Sequence, residues 1–247
     1  MPAPAFPEPV NRRVLGGFVF TDATTGNSIP GTLPASSPGL LLKVNHNGVY
    51  AIFNGPGFNE KTTEFIPDPA TWPAPQKFEI TVSDPALRYL PRRAQINVPQ
   101  SLTSLAPQPV MLYPGPSSSV ELNWAVVRAS VTNTAGKGLP YAFVQVIKSD
   151  STIAATGLTD ARGEALLAVM GLGVQVSSTA TDPVTDSTTP VTVKAWFDPA
   201  NLTQPRGWVP NPDDISTNLT NASLKTGTQT GAIGARQTLF TQIAISV

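Results

Sequence analysis

Apolar and polar residues alternate in short runs along this chain, and each run ends in a turn. Phe143-Val144-Gln145-Val146-Ile147 follows Gly136-Lys137-Gly138-Leu139-Pro140, and its alternation puts Ala142, Val144 and Val146 on one face. Phe143, Gln145 and Ile147 take the other face. Asp160-Ala161-Arg162-Gly163 reads as a turn, because Asp can bond its own backbone and Gly can take a positive φ. Glu164 to Val169 is the next strand. The same reading predicts strands over Arg13–Thr21, Leu40–Val44, Val49–Phe53 and Lys77–Val82, and an edge strand over Arg88–Val98 interrupted by Pro91. Further on it predicts strands over Leu122–Val131, Val174–Val176, Thr189–Trp196 and Gln237–Ile245. Between the last two, residues 198–230 read as a long loop. Within it, Asn211 is expected to cap a short helix with Pro212 at its first position.

The pattern repeats. Thr25-Gly26-Asn27-Ser28-Ile29-Pro30 aligns with Ala135-Gly136-Lys137-Gly138-Leu139-Pro140. Each follows a strand and precedes a polar turn ending in Gly: Asn45 to Gly48 in one case, Asp160 to Gly163 in the other. Two related β units are therefore expected. Their boundaries are a Pro-rich arm at 1–11, a first unit at 12–98, a Pro-rich connector at 99–121 and a second unit at 122–247. Val110-Met111-Leu112-Tyr113 is too apolar for a free linker, so part of the connector is expected to lie along one unit as an edge strand.

Composition supports an all-β chain and narrows the function. There are 26 Pro and 19 Gly in 247 residues, and charged residues are 13%, about half the usual ~25%. The 16 basic and 16 acidic side chains balance, which argues against a nucleic-acid partner. No apolar run approaches the ~18 residues of a membrane span. No Cys is present, so disulfides and thiolate chemistry are excluded. Met1-Pro2-Ala3-Pro4 has no basic and apolar leader pattern, so synthesis in the cytoplasm without a signal peptide is expected.

Candidate chemistry is sparse. His46 is the single His and sits between two Asn in a turn. No nucleophile-elbow, zinc-helix or P-loop pattern occurs. Asp182, Asp186, Asp213 and Asp214 lack EF-hand spacing, and Asp68, Asp84, Asp182 and Asp198 each precede Pro as turn starters. Asn201, Asn218 and Asn221 match the glycosylation acceptor pattern by composition alone. Trp124 and Trp196 fall inside strand patterns and are expected in cores. Trp72 and Trp208 fall in Pro-rich loops, and Arg88, Arg92 and Arg93 cluster beside Tyr89. These five are the candidate partner-binding residues. No catalytic residue, metal ligand or cofactor is expected.

Val127 to Leu167 resembles the carboxypeptidase regulatory-like, transthyretin-like β-sandwich family. The resemblance rests on the Gly136 to Pro140 turn, the strand Ala142-Phe143-Val144-Gln145-Val146, and Thr159-Asp160-Ala161-Arg162-Gly163. It covers about 70 residues, and the first half matches more loosely, with Asn45-His46-Asn47-Gly48 in place of the second turn. The resemblance implies two tandem Ig-like or transthyretin-like sandwiches joined by Pro-rich arms, and it brings no catalytic residue. The longer arrangement is similar to accessory proteins of phage tails and contractile injection particles. The expected role is a non-enzymatic subunit of such a particle, bound to other protein subunits. The alternative is a carbohydrate-binding or adhesion module, which would need exposed coplanar aromatics.

Overall fold

A computed structural model describes residues 14–54, 74–100, 106–172, 188–205 and 207–247. The arm at 1–11, Trp72, the strand expected at Val174–Val176, and Asp68, Asp182 and Asp186 lie outside the described residues. The described chain is mostly β. The strands are β1 (Val14–Asp22), β2 (Ala35–Ser36), β3 (Leu40–Val44), β4 (Val49–Asn54), β5 (Gln76–Val82), β6 (Arg92–Val98) and β7 (Gln108–Leu112). They continue as β8 (Ala125–Asn133), β9 (Phe143–Lys148), β10 (Ile153–Leu158), β11 (Glu164–Val169), β12 (Thr189–Phe197), β13 (Lys225–Ile233) and β14 (Thr238–Ile245). A short helix, α1 (Asp213–Ser216), precedes β13.

Among the described residues the strands form four sheets, in the orders β3-β4-β1-β7, β2-β5-β6, β10-β9-β12-β13 and β11-β8-β14. The first two share a buried cluster that includes Phe18, Phe20, Ile52, Ile80, Ile96 and Val110. The last two share another, including Val127, Val131, Val144, Leu167, Val193 and Ile243. Each such side chain contributes ~1.5–3 kcal/mol when fully buried. The alternation read from sequence decides which residues enter. Val144 and Val146 are completely buried in the second cluster, while Phe143 and Trp196 point to the opposite face of their sheet. There they join a third cluster with Tyr113, Leu158 and Ile215, against which Ala23 and Leu90 also pack.

Connectivity is the same in the two halves except at one strand. β1 pairs antiparallel with β4 and parallel with β7. Likewise β8 pairs antiparallel with β11 and parallel with β14. The exception is the third strand: β3 pairs with β4, whereas β10 pairs with β9 across the other sheet. The turns match bond for bond. Ile29 N–H donates to Phe20 O, and Leu139 N–H to Val131 O, both at 2.8 Å. Asn45 Oδ1 accepts from the N–H groups of Asn47 and Val49, and Asp160 Oδ1 from those of Arg162 and Glu164. Thr159 ties the two motif turns of the second half together. Its buried Oγ1 accepts from Ala142 N–H at 2.8 Å and donates to Leu139 O at 2.9 Å.

Residues expected as connector include β7, which lies in parallel register on β1 as an edge strand. The long loop expected at 198–230 is shorter than its sequence suggests. It opens with a 3-10 turn at Pro199–Thr203 and carries α1, and β13 then pairs with β12 from Lys225 onward. β13 escapes the sequence pattern because Gly227 and Gly231, with exposed Gln229 between them, stand on its inward side ahead of the buried Ile233. A Cβ on Gly227 would meet Ala244 O at 2.7 Å, and one on Gly231 would meet Leu239 Cδ2 at 2.8 Å. Asn211 caps α1 loosely, its Oδ1 accepting from Asp213 N–H at 3.3 Å, with Pro212 in helical conformation between them.

Candidate functional site

Two of the candidate arginines, Arg92 and Arg93, and Trp208 meet where the two halves of the chain touch. β6 turns Ala94, Ile96 and Val98 inward, and Arg92 shares their parity. Its guanidinium is therefore carried inside, and only 1% of the side chain is exposed. Arg92 donates to Met111 O and Asp213 Oδ2, each at 2.5 Å, to Arg93 O at 3.1 Å and to Asn211 Oδ1 at 3.4 Å. One buried cation so binds β6 and β7 of the first half to the start of α1 in the second. Arg92, a candidate partner-binding residue by sequence, is one of the largest fully buried side chains among the described residues.

Arg93 faces the other way and grips the loop before α1. Its backbone N–H donates to Pro210 O at 2.7 Å, its Nε to Val209 O at 2.6 Å, and its Nη1 to Glu79 at 3.0 Å. The guanidinium also lies 5.1 Å from the Trp208 ring centroid. Tyr141 approaches Trp208 edge-on, with centroids 5.9 Å apart. Trp208, expected to anchor another chain, is thus half-buried against its own.

Arg88 stays at the surface. Its Nε bonds Asp84 Oδ2 at 3.1 Å, with 60% of the arginine side chain exposed but only 2% of the aspartate's. Burial pushes the Asp84 carboxyl up, yet the Ala86 N–H and the Arg88 guanidinium outweigh it and hold the group below its ordinary range. Beside it, Tyr89 donates to Asp22 Oδ2 at 2.7 Å, and burial together with that carboxylate raises the phenol well above its ordinary value. Asp22, Arg88 and Tyr89 line a cleft of about 140 Å³ that reaches Trp124. Burial also lifts Tyr113 to about 12 and raises Asp214, which has Asp213 for a neighbour.

The remaining candidates scatter. Trp196 is 4% exposed and caps the third cluster, so Trp196 and Trp208 form no flat exposed platform. His46 is exposed in the β3–β4 turn. Asn201, one of the glycosylation-pattern residues, has a buried Nδ2. No cluster of three or more metal-binding side chains occurs among the described residues, and no helix among them is long and apolar enough to cross a membrane. The sequence reading missed that Arg92 belongs to the inward register of Ala94-Ile96-Val98. That parity is visible in the sequence once β6 is taken to start after Pro91.

No family model matches the sequence, and no curated protein matches it. A solved structure described as "The Bacillus anthracis TIE protein" aligns with 94% of this chain and 33% of its own, at 12% identity and a TM-score of 0.25. The chain spans about a third of that protein's length, and an overlap this low carries no argument about fold or role.

Proposed function

We propose that this chain is a non-enzymatic structural subunit of a multi-protein particle. In this reading its two halves are tandem Ig-like or transthyretin-like sandwiches with the boundaries expected from sequence. The observation that carries the proposal is the seam. The side chains best suited to recognition, Arg92, Arg93 and Trp208, hold the two halves together. A buried arginine with several acceptors imposes a defined geometry on what it joins. A two-part body with a fixed internal angle suits a structural part. It leaves sheet edges for neighbours, with Phe240 75% exposed on edge strand β14 and Ile153 57% exposed on edge strand β10. Backbone pairing and apolar burial at such edges are a common mode of subunit contact. The setting we infer is a phage-tail or contractile-injection particle. That part rests on the motif resemblance alone.

Sedimentation of a lysate of the producing cells, probed with antibody against this chain, tests the reading. The chain should travel with high-mass particles and be visible on them by immunogold labelling. Recovery solely as free monomer would overturn the assignment.

A further inference from the structure

We propose that two copies of this chain pair through the open part of β5, antiparallel about a two-fold axis at Phe78. The contact joins like copies and does not depend on the particle setting. β6 flanks β5 over its whole length, but β2 flanks it only at Thr81 and Val82. In the second half the corresponding strand, β12, is covered from Val191 to Trp196 by β9, which in turn carries β10. A turn makes the difference. The chain leaves β5 through Ser37-Pro38-Gly39-Leu40, where Leu40 N–H donates to Ser37 O at 3.4 Å and Gly39 takes a φ of 81°. Pro at the second place and a positive-φ Gly at the third suit such a turn. Gln76 to Ile80 is thereby left without a strand on this side among the described residues.

Hydrogen-bond parity sets what this edge presents. Arg93 N–H donates away from β5, to Pro210 O at 2.7 Å, so Arg93 and Thr81 face each other without hydrogen bonds. Thr81, Glu79 and Lys77 share that parity and turn their N–H and C=O away from β6. Ser83, next in the series, donates on that side to Pro34 O at 3.2 Å. The backbone groups of Lys77 and Glu79 are bonded to nothing among the described residues, and such an edge is a template for another strand. The side chains select the occupant. Pairing β5 with its own copy about Phe78 sets Lys77 opposite the partner's Glu79, and Glu79 opposite the partner's Lys77. The open backbone groups of one copy then meet those of the other. Both side chains are exposed on the outer face. Opposite charges directly across an antiparallel pair attract, and like charges repel. Lys77 has no ion pair among the described residues, and Glu79 has one, to Arg93, with 46% of its side chain still exposed. A slip of two residues either way would set Lys77 against Lys77 or Glu79 against Glu79, so charge fixes the register. Pro75, which has no N–H, bounds the pairing on one side and β2 on the other.

Sedimentation velocity of the full chain tests the contact. An edge this short supports a weak dimer, with a Kd on the order of 100 µM. Lys77→Glu and Glu79→Lys each set like charges opposite and should weaken association about 10-fold or more. An equimolar mixture of the two variants faces an acidic strand with a basic one, so every facing pair is again opposite. The mixture should regain the parent's affinity, which a merely structural effect of either substitution would not produce. Lys77→Pro removes an outward N–H and leaves the β5–β6 ladder intact. It should keep the parent's circular dichroism and lower association about 10-fold. That variant keeps the test valid if Glu79→Lys, which loses the Arg93 pair, does not fold. A parent that stays monomeric up to about 500 µM, a dimer unmoved by the folded variants, or a mixture no tighter than its folded components would each overturn the proposal.

Discussion

Single atoms decide the motif turns. Gly163 holds φ at 88°, and a Cβ there would lie 2.5 Å from Val131 O and 2.8 Å from Leu139 N. Gly136 has a similar φ of 80° with nothing within 4 Å of the same added atom. The pair separates two costs of substitution. Gly136→Val should lose only the backbone term, ~1–3 kcal/mol. Gly163→Val adds overpacking against immovable backbone, a further ~1–3 kcal/mol, for a total of about 2–6 kcal/mol. Urea unfolding of both variants measures the gap, and equal losses would show that the close approach at Gly163 is relieved at no cost. Gly48 stands in the same relation to Ile29 O, 2.7 Å from its added Cβ. The repeat thus extends to which glycine lets one turn dock on another.

Among the elements, β13 shows how a strand can form without an apolar stripe. Its Thr residues face outward, and Gly227 and Gly231 stand on the same side as the buried Ile233, with exposed Gln229 between them, so that β14 can come close. The two glycines differ in what they face. Gly227 would press on the backbone carbonyl of Ala244, which cannot move alone, whereas Gly231 would press on the flexible end of Leu239. Gly227→Ala should therefore cost ~1–3 kcal/mol. Gly231→Ala should stay within about 1 kcal/mol of neutral, since Ala is the better strand residue by roughly that amount. Thermal unfolding of the two variants ranks them, and the opposite ranking would mean that β14 adjusts more readily than the Leu239 side chain.

Across the full chain, the seam sets how the halves respond together. The Arg92–Asp213 pair is asymmetric, with the arginine 1% and the aspartate 48% exposed. Removing the aspartate strands a buried cation, while removing the cation leaves an anion that water can reach. Asp213→Ala should therefore destabilise by ~3–5 kcal/mol, as breaking a buried pair does. Arg92→Met, which fills the same space with apolar atoms, should cost less. Calorimetry carries a second readout. The parent should unfold in one transition, and Asp213→Ala should split it into two as the halves uncouple. A smaller loss for Asp213→Ala than for Arg92→Met would mean that the buried guanidinium finds its compensation in its remaining acceptors, the Met111 and Arg93 carbonyls and Asn211 Oδ1.

The all-β character, the paired motif turns and the inward face of β9 were legible from the order of residues, because those features depend on near neighbours along the chain. Alternation fixes a face, and Asn45, Asp160, Gly48 and Gly163 fix a turn wherever they stand. The strand β13 was not legible, since close packing against β14 replaced apolar residues with glycine. Local parity turns Arg92 inward once β6 is taken to start after Pro91, but it does not show what receives a buried cation there. Asp213 lies 121 positions away, and folding brings the two together. Local patterning reads backbone geometry, whereas recognition depends on side chains that meet across long loops, and the partners in such meetings leave no periodic trace in the chain.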